Sequence, residues 1–124
     1  MLSFLIVLSI IFFNSCGSGD AGHQVGARQD EIARGRDLFT RSGCAVCHGH
    51  EGRGDGRVAR SLSPRPRDFR ELSAYQQGNS KADIATTIKN GVGVRTSAMP
   101  AYPHLSAADA GALGAFVVFL QKQP

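Results

Sequence analysis

The chain is predicted to be an all-α domain, and three observations carry that prediction. No segment alternates apolar and polar residues as a half-buried strand does. Two stretches open with Ser-x-x-Asp and continue with apolar residues at helical spacing: Ser80 to Asp83 leads into Ile84 and Ile88, and Ser106 to Asp109 leads into Leu113, Phe116, Val117 and Leu120. A third stretch, Asp30 to Ser42, sets Ile32, Gly35 and Phe39 three and four apart, with Glu31 in a first turn that favours an acid. With 124 residues, 42% apolar and 19% charged, one packed unit is expected, and neither two domains nor a disordered tail.

The first element in chain order lies outside that unit. Leu2 to Phe13 is almost wholly apolar but well short of the roughly 20 residues that cross a bilayer, and has the length of a signal-peptide core. It ends in Phe13-Asn14-Ser15-Cys16, which resembles the lipobox of bacterial lipoprotein signals, although Phe13 replaces the usual Leu and no Lys or Arg precedes the run. The resemblance implies that Cys16 becomes the lipid-bearing first residue; the alternative is a simple secretory signal cut near Cys16. Gly17 to Arg28, rich in Gly, Ser and Ala without periodicity, reads as a flexible tether. The predicted organisation is therefore a signal at 1–15, a lipid-anchored tether at 16–28 and one domain at 29–124. That places the domain on the periplasmic side of a bacterial membrane, or free in the periplasm if Cys16 is not lipidated.

After the helix at Asp30 to Ser42, Gly43 is expected to break the chain before Cys44-Ala45-Val46-Cys47-His48. Residues i, i+3 and i+4 share one helix face, so both sulfurs and the imidazole can point at one flat partner. Haem meets that geometry: two thiols add to its two vinyl groups while His48 binds the iron, the c-type attachment signal. A zinc site wants four Cys or His ligands, often from a second Cys-x-x-Cys pair, and there is none. A thioredoxin-type dithiol wants a preceding strand and a βαβ surround, and the neighbouring residues read helical. The three cysteines thus divide into Cys16 for lipid and Cys44 and Cys47 for one haem c.

Beyond Met1, the only methionine is Met99, in Gly91-Val92-Gly93-Val94-Arg95-Thr96-Ser97-Ala98-Met99-Pro100-Ala101-Tyr102-Pro103. Glycines and prolines disfavour a helix there, and Pro100 pushes Met99 toward an extended conformation able to present its sulfur to the distal haem face. Two alternatives stand beside this reading: Met99 filling a core gap, and His104 binding the iron as a second imidazole. Of the remaining chain, Gly49 to Arg67 reads as loop, Asp68 to Gln76 as a short helix bearing Leu72 and Tyr75, and Gly91 as the stop after Ile88.

On these residues the sequence resembles a class I c-type cytochrome, a small monohaem electron-transfer domain, from about Gly35 to Leu120. Gly35 and Phe39 match the family's first helix, Cys44 to Gly49 its haem motif, and Ile88, Gly91, Met99-Pro100, Tyr102 and Leu105 its distal pattern. Gly52-Arg53-Gly54-Asp55-Gly56, with Leu62, Pro64, Pro66, Asp68 and Phe69, resembles a subgroup of periplasmic and membrane-attached bacterial cytochromes, with Arg57 where proline is common. The resemblance implies three to four main helices around one covalent haem, a C-terminal helix crossing the first, and a carbonyl of Pro64 or Pro66 accepting from the proximal His48. It also implies a one-electron carrier between redox-partner proteins, and not an enzyme, because His48 and Met99 together leave iron no open position. The rivals are a haem subunit of a larger oxidase or dehydrogenase, and a haem enzyme or gas sensor with a labile distal ligand.

Lys and Arg number 14 against 10 Asp and Glu, a formal charge of +4. Six arginines, Arg53, Arg57, Arg60, Arg65, Arg67 and Arg70, lie between Gly52 and Arg70 with only Asp55 and Asp68. A solvated face is the plain expectation; haem propionates and acidic docking surfaces of partners are the sharper ones. Nucleic acid is not expected, since Phe69 is the only aromatic in the stretch and the chain carries an export signal.

Overall fold

A computed structural model describes residues 19–93 and 99–124. The predicted signal, Cys16 and residues 94–98 of the methionine loop lie outside the described residues. Four α-helices make the fold: α1 (Gly19–Arg41), α2 (Cys44–His48), α3 (Lys81–Asn90) and α4 (Ala107–Leu120). Short 3₁₀ turns occur at Ala59–Ser61 and Leu72–Ala74, and there is no strand among the described residues, only an isolated antiparallel bridge between Val92 and Met99.

α4 is the centre. It is apolar nearly all round, with Ala110, Leu113, Phe116, Val117 and Leu120 buried, as a helix enclosed by neighbours must be. α1 packs on one side of it and α3 on another. Small residues set both distances. A Cβ on Gly35 would stand 2.0 Å from the Ala112 carbonyl oxygen, and one on Gly114 would stand 2.5 Å from that of Lys81. Leu38, Phe39, Ile84, Ile88, Leu105 and Phe69 complete the core, and Phe39 meets Phe116 edge-on at 5.4 Å between ring centroids. At the rim, Arg34 reaches Asp109 at 2.6 Å and Lys81 reaches Glu31 at 2.5 Å, tying α1 to α4 and to α3.

The helix starts at α3 and α4 fall where their caps predict. Ser80 Oγ accepts from the Asp83 N–H at 3.2 Å while Asp83 returns the bond to the Ser80 N–H at 3.2 Å, and Ser106 Oγ accepts from the Asp109 N–H at 3.0 Å. Two expectations are corrected. The described part of the first helix runs from Gly19 and not from Asp30, so the tether's described part is helical and residue 29 falls inside α1. No proline interrupts that stretch, so the packed helix simply extends into solvent, with Val25 57% exposed. Between Asp68 and Gln76 only the 3₁₀ turn forms, because Asp68 Oδ1 takes the Arg70 N–H at 3.0 Å and so competes with helical bonding.

Candidate haem site

α2 is too short to persist alone and is held from both ends. In front, Gly43 sits at φ 78°, the left-handed conformation glycine tolerates, closing α1 and turning the chain into Cys44. Behind, the loop after Gly49 doubles back. The N–H groups of Gly54, Gly56 and Val58 donate to the carbonyls of His48, Cys47 and Val46 at 2.9, 3.1 and 3.2 Å. Those are the carbonyls a helix end leaves without partners. Contact is so close that a Cβ on Gly56 would lie 2.3 Å from the Val46 oxygen. This is the physical content of Gly-Arg-Gly-Asp-Gly.

Cys44 and Cys47 are half-buried free thiols. Burial, with the neighbouring Cys47 adding to it, pushes the Cys44 thiol up to about 11. The His48 ring lies against Phe69 at 4.9 Å between centroids, 33° from parallel. Burial above all, and then the Arg67 cation, holds the imidazole down to about 4, so it is neutral at pH 7, the state that can donate to a metal. It makes no side-chain hydrogen bond to a described residue, and its Nδ1 is sealed from solvent without a partner. A histidine buried only for packing would have its polar atoms satisfied. Two thiols and a neutral, uncommitted imidazole on one helical turn fit a haem.

The acceptor expected for His48 is not found among the described residues. Neither the Pro64 nor the Pro66 carbonyl bonds Nδ1; the Pro66 carbonyl lies against Gly54, where a Cβ would be 2.2 Å from it. Gly54 also donates its backbone N–H to the His48 carbonyl, so the Pro66 carbonyl packs on the main chain that holds the motif.

The distal side is built from the end of α3. Gly91 closes the helix on the Thr87 carbonyl at 2.8 Å, Val92 N–H donates to the Met99 carbonyl at 3.1 Å, and Tyr102 N–H to the Ile88 carbonyl at 3.0 Å. Met99 and Tyr102 are half-buried against the core. Burial, then Cys44 and Cys47, raises the Tyr102 hydroxyl, and Tyr102 and Cys44 both pack against the core cluster. His104 and His50 are exposed.

The six arginines divide. Arg70, with a side chain 17% exposed, bonds Asp68, the Glu51 carbonyl and the Gln123 carbonyl. Arg53 bonds Glu51 at 3.1 Å and the Pro124 carbonyl at 2.6 Å. Arg67 donates to the Ala74 carbonyl and lies 4.8 Å over the Tyr75 ring. Arg57, Arg60 and Arg65 are exposed with no bond to a described residue. Nothing in their sequence neighbourhood separates these groups. Nor does any periodicity announce the packing of Phe69, Tyr75 and Arg67 behind His48, which sequence reasoning missed.

Helices around a half-buried Cys-x-x-Cys-His turn, with Met99 packed against the same core, define a c-type cytochrome domain, whose work is haem electron transfer. The family model described as cytochrome c oxidase, cbb3-type, subunit III matches residues 30–117, and the chain belongs to that family. Among solved structures, a chain of the Kuenenia stuttgartiensis reducing HAO-like protein complex is similar at a TM-score of 0.63 and 28% identity. The match covers 74% of this chain and 44% of that one, so this chain spans under half its length. No curated protein matches the sequence.

Proposed function

We propose that the protein is a monohaem one-electron carrier with His48 and Met99 as axial ligands and Cys44 and Cys47 as the covalent attachment. The observation that carries the reading is the His48 imidazole, half-buried, neutral and without a hydrogen-bond partner among the described residues, on the same turn as two free thiols. Haem, when bound, supplies the one-electron ferric and ferrous couple. The chain's part is to keep the imidazole neutral and packed against Phe69, to present Met99 opposite it, and to exclude water with the Ile88, Leu105 and Phe116 core. The half-burial of Met99 against the exposure of His104 favours sulfur as the second ligand. With His48 and Met99 both committed as ligands, a bound haem would have no open position for substrate and would supply electron transfer alone.

In this reading Cys16 carries lipid and the domain sits on the periplasmic side of a membrane, between an electron-donating and an electron-accepting protein. Acidic docking surfaces on those proteins would face Arg57, Arg60 and Arg65. A second reading, a haem subunit working inside a larger complex, has a specific support: the matched family is described as an oxidase subunit, and the similar structure is a chain of a complex. Absorption spectra of the purified protein in both oxidation states, with acid-acetone extraction, test the first reading. Pigment retained in the protein and a low-spin spectrum are expected; colourless protein, or haem lost intact to solvent, overturns it. Co-purification of other subunits from native membranes would favour the second.

A further inference from the structure

The arginines of this stretch are not equivalent: of the four with no carboxylate partner among the described residues, Arg57, Arg60 and Arg65 are exposed and only Arg67 is half-buried. Asp68 is occupied by Arg70 at 2.9 Å, Glu51 is bridged by Arg53, and no ion pair is formed by Arg67 among the described residues. Arg67 is nevertheless fixed: one face of its guanidinium lies over Tyr75 and it donates to the Ala74 carbonyl. Tyr75 in turn donates its hydroxyl to the Phe69 carbonyl at 3.1 Å, and Phe69 packs on the His48 ring. The backbone makes the same connection by a second route. A Cβ on Gly54 would lie 3.1 Å from the Arg67 carbonyl carbon, and Gly54 N–H is bonded to the His48 carbonyl.

From this geometry we infer that Arg67 is a positioning charge for the redox centre, an uncompensated cation seated on Tyr75 behind the proximal histidine that raises the reduction potential. The inference rests on the His48-ligated haem proposed above. Its physics is Coulombic. Reduction adds one electron and lowers the charge at iron by one unit, so a nearby fixed cation stabilises the reduced state relative to the oxidised. The half-buried seat keeps the charge from being screened as an exposed one is. Because guanidinium stays protonated throughout the accessible range, the contribution carries no pH dependence of its own.

The test is the midpoint potential of the haem-loaded full chain, with the low-spin spectrum as a check that ligation is unchanged. Arg67→Gln is expected to lower the potential by up to the equivalent of a tenfold change in the redox equilibrium constant, about 59 mV for one electron. Arg67→Lys, which keeps the charge, should retain most of the wild-type value. Tyr75→Leu, which removes the seat and leaves the cation in the chain, should fall between. Arg28→Gln removes the same charge from the exposed start of α1 and should not move it. A native spectrum with an unshifted potential in Arg67→Gln overturns the inference, as does a Lys variant that falls as far as Gln. Should wild-type protein itself lack bound haem, the proposed function fails instead, and the two failures are told apart.

Discussion

The two sides of the candidate haem site are built by different means. On the proximal side, α2 is gripped within a short span of chain: Gly54, Gly56 and Val58 satisfy three consecutive carbonyls, and the approach leaves no room for a Cβ at Gly56. On the distal side, Met99 is held by a single bridge to Val92 and by the seating of Tyr102 on Ile88, with the loop's middle outside the described residues. The His48 turn is over-determined by local backbone bonding, whereas Met99 depends on packing against the end of α3. On the proposed reading, the turn that would hold the covalent group is fixed by its own neighbours, and the loop that would supply the second ligand is placed by packing.

That contrast can be broken most completely at its proximal end. Cys44→Ala together with Cys47→Ala is expected to abolish covalent haem, measured by pigment retained after acid-acetone extraction; retained haem would reject the attachment site. Next in size is Gly56→Ala. Its methyl group would stand 2.3 Å from one backbone oxygen and 2.5 Å from another, and neither can move without opening α2. A loss of about 3 kcal/mol, at the upper end for overpacking, is expected in thermal or denaturant unfolding of the holoprotein. Gly91→Ala on the distal side should cost a comparable amount, about 1–3 kcal/mol, since φ 74° with ψ 178° is a conformation nearly confined to glycine and its methyl group would stand 2.8 Å from the Met99 carbonyl oxygen.

Met99→Ala sharpens the same comparison by function. It should leave covalent haem in place while opening the distal face, lowering the potential and admitting carbon monoxide to the reduced protein. Unchanged carbon monoxide behaviour would refute Met99 as a ligand. The smallest effect expected is that of Ser80→Ala, which removes the cap from the helix supporting the distal loop. Stability should drop by about 1 kcal/mol with haem binding and potential unchanged, a result that separates α3 as scaffold from the loop as ligand donor.

Much of this architecture is legible in the residues alone. Ser80 and Ser106 announce their helices because capping is local chemistry, and Cys44, Cys47 and His48 announce a haem because attachment requires that spacing. Gly35, small and on the inner face of its helix, stands against Ala112 at a close crossing. The start of α1 is not legible, since a run of Gly, Ala and Gln with no apolar face can continue a helix anchored further along. That no proline carbonyl meets His48 Nδ1 is not legible either, because such a contact depends on how the Gly-rich loop folds over α2.

What the linear order of residues determined by itself is whatever rests on neighbours a few positions apart: caps, stops, the attachment turn, and an all-α class from the absence of alternation. What only tertiary structure decided is which like residues have different surroundings. Six arginines identical in sequence chemistry became two clamps on the distant C-terminal end of the chain, one charge seated on Tyr75 and three side chains with no bond to a described residue, because burial and the longest-range contacts depend on how the chain folds back on itself. Electrostatic consequence follows distance in space and burial, and neither is encoded in any short window of sequence.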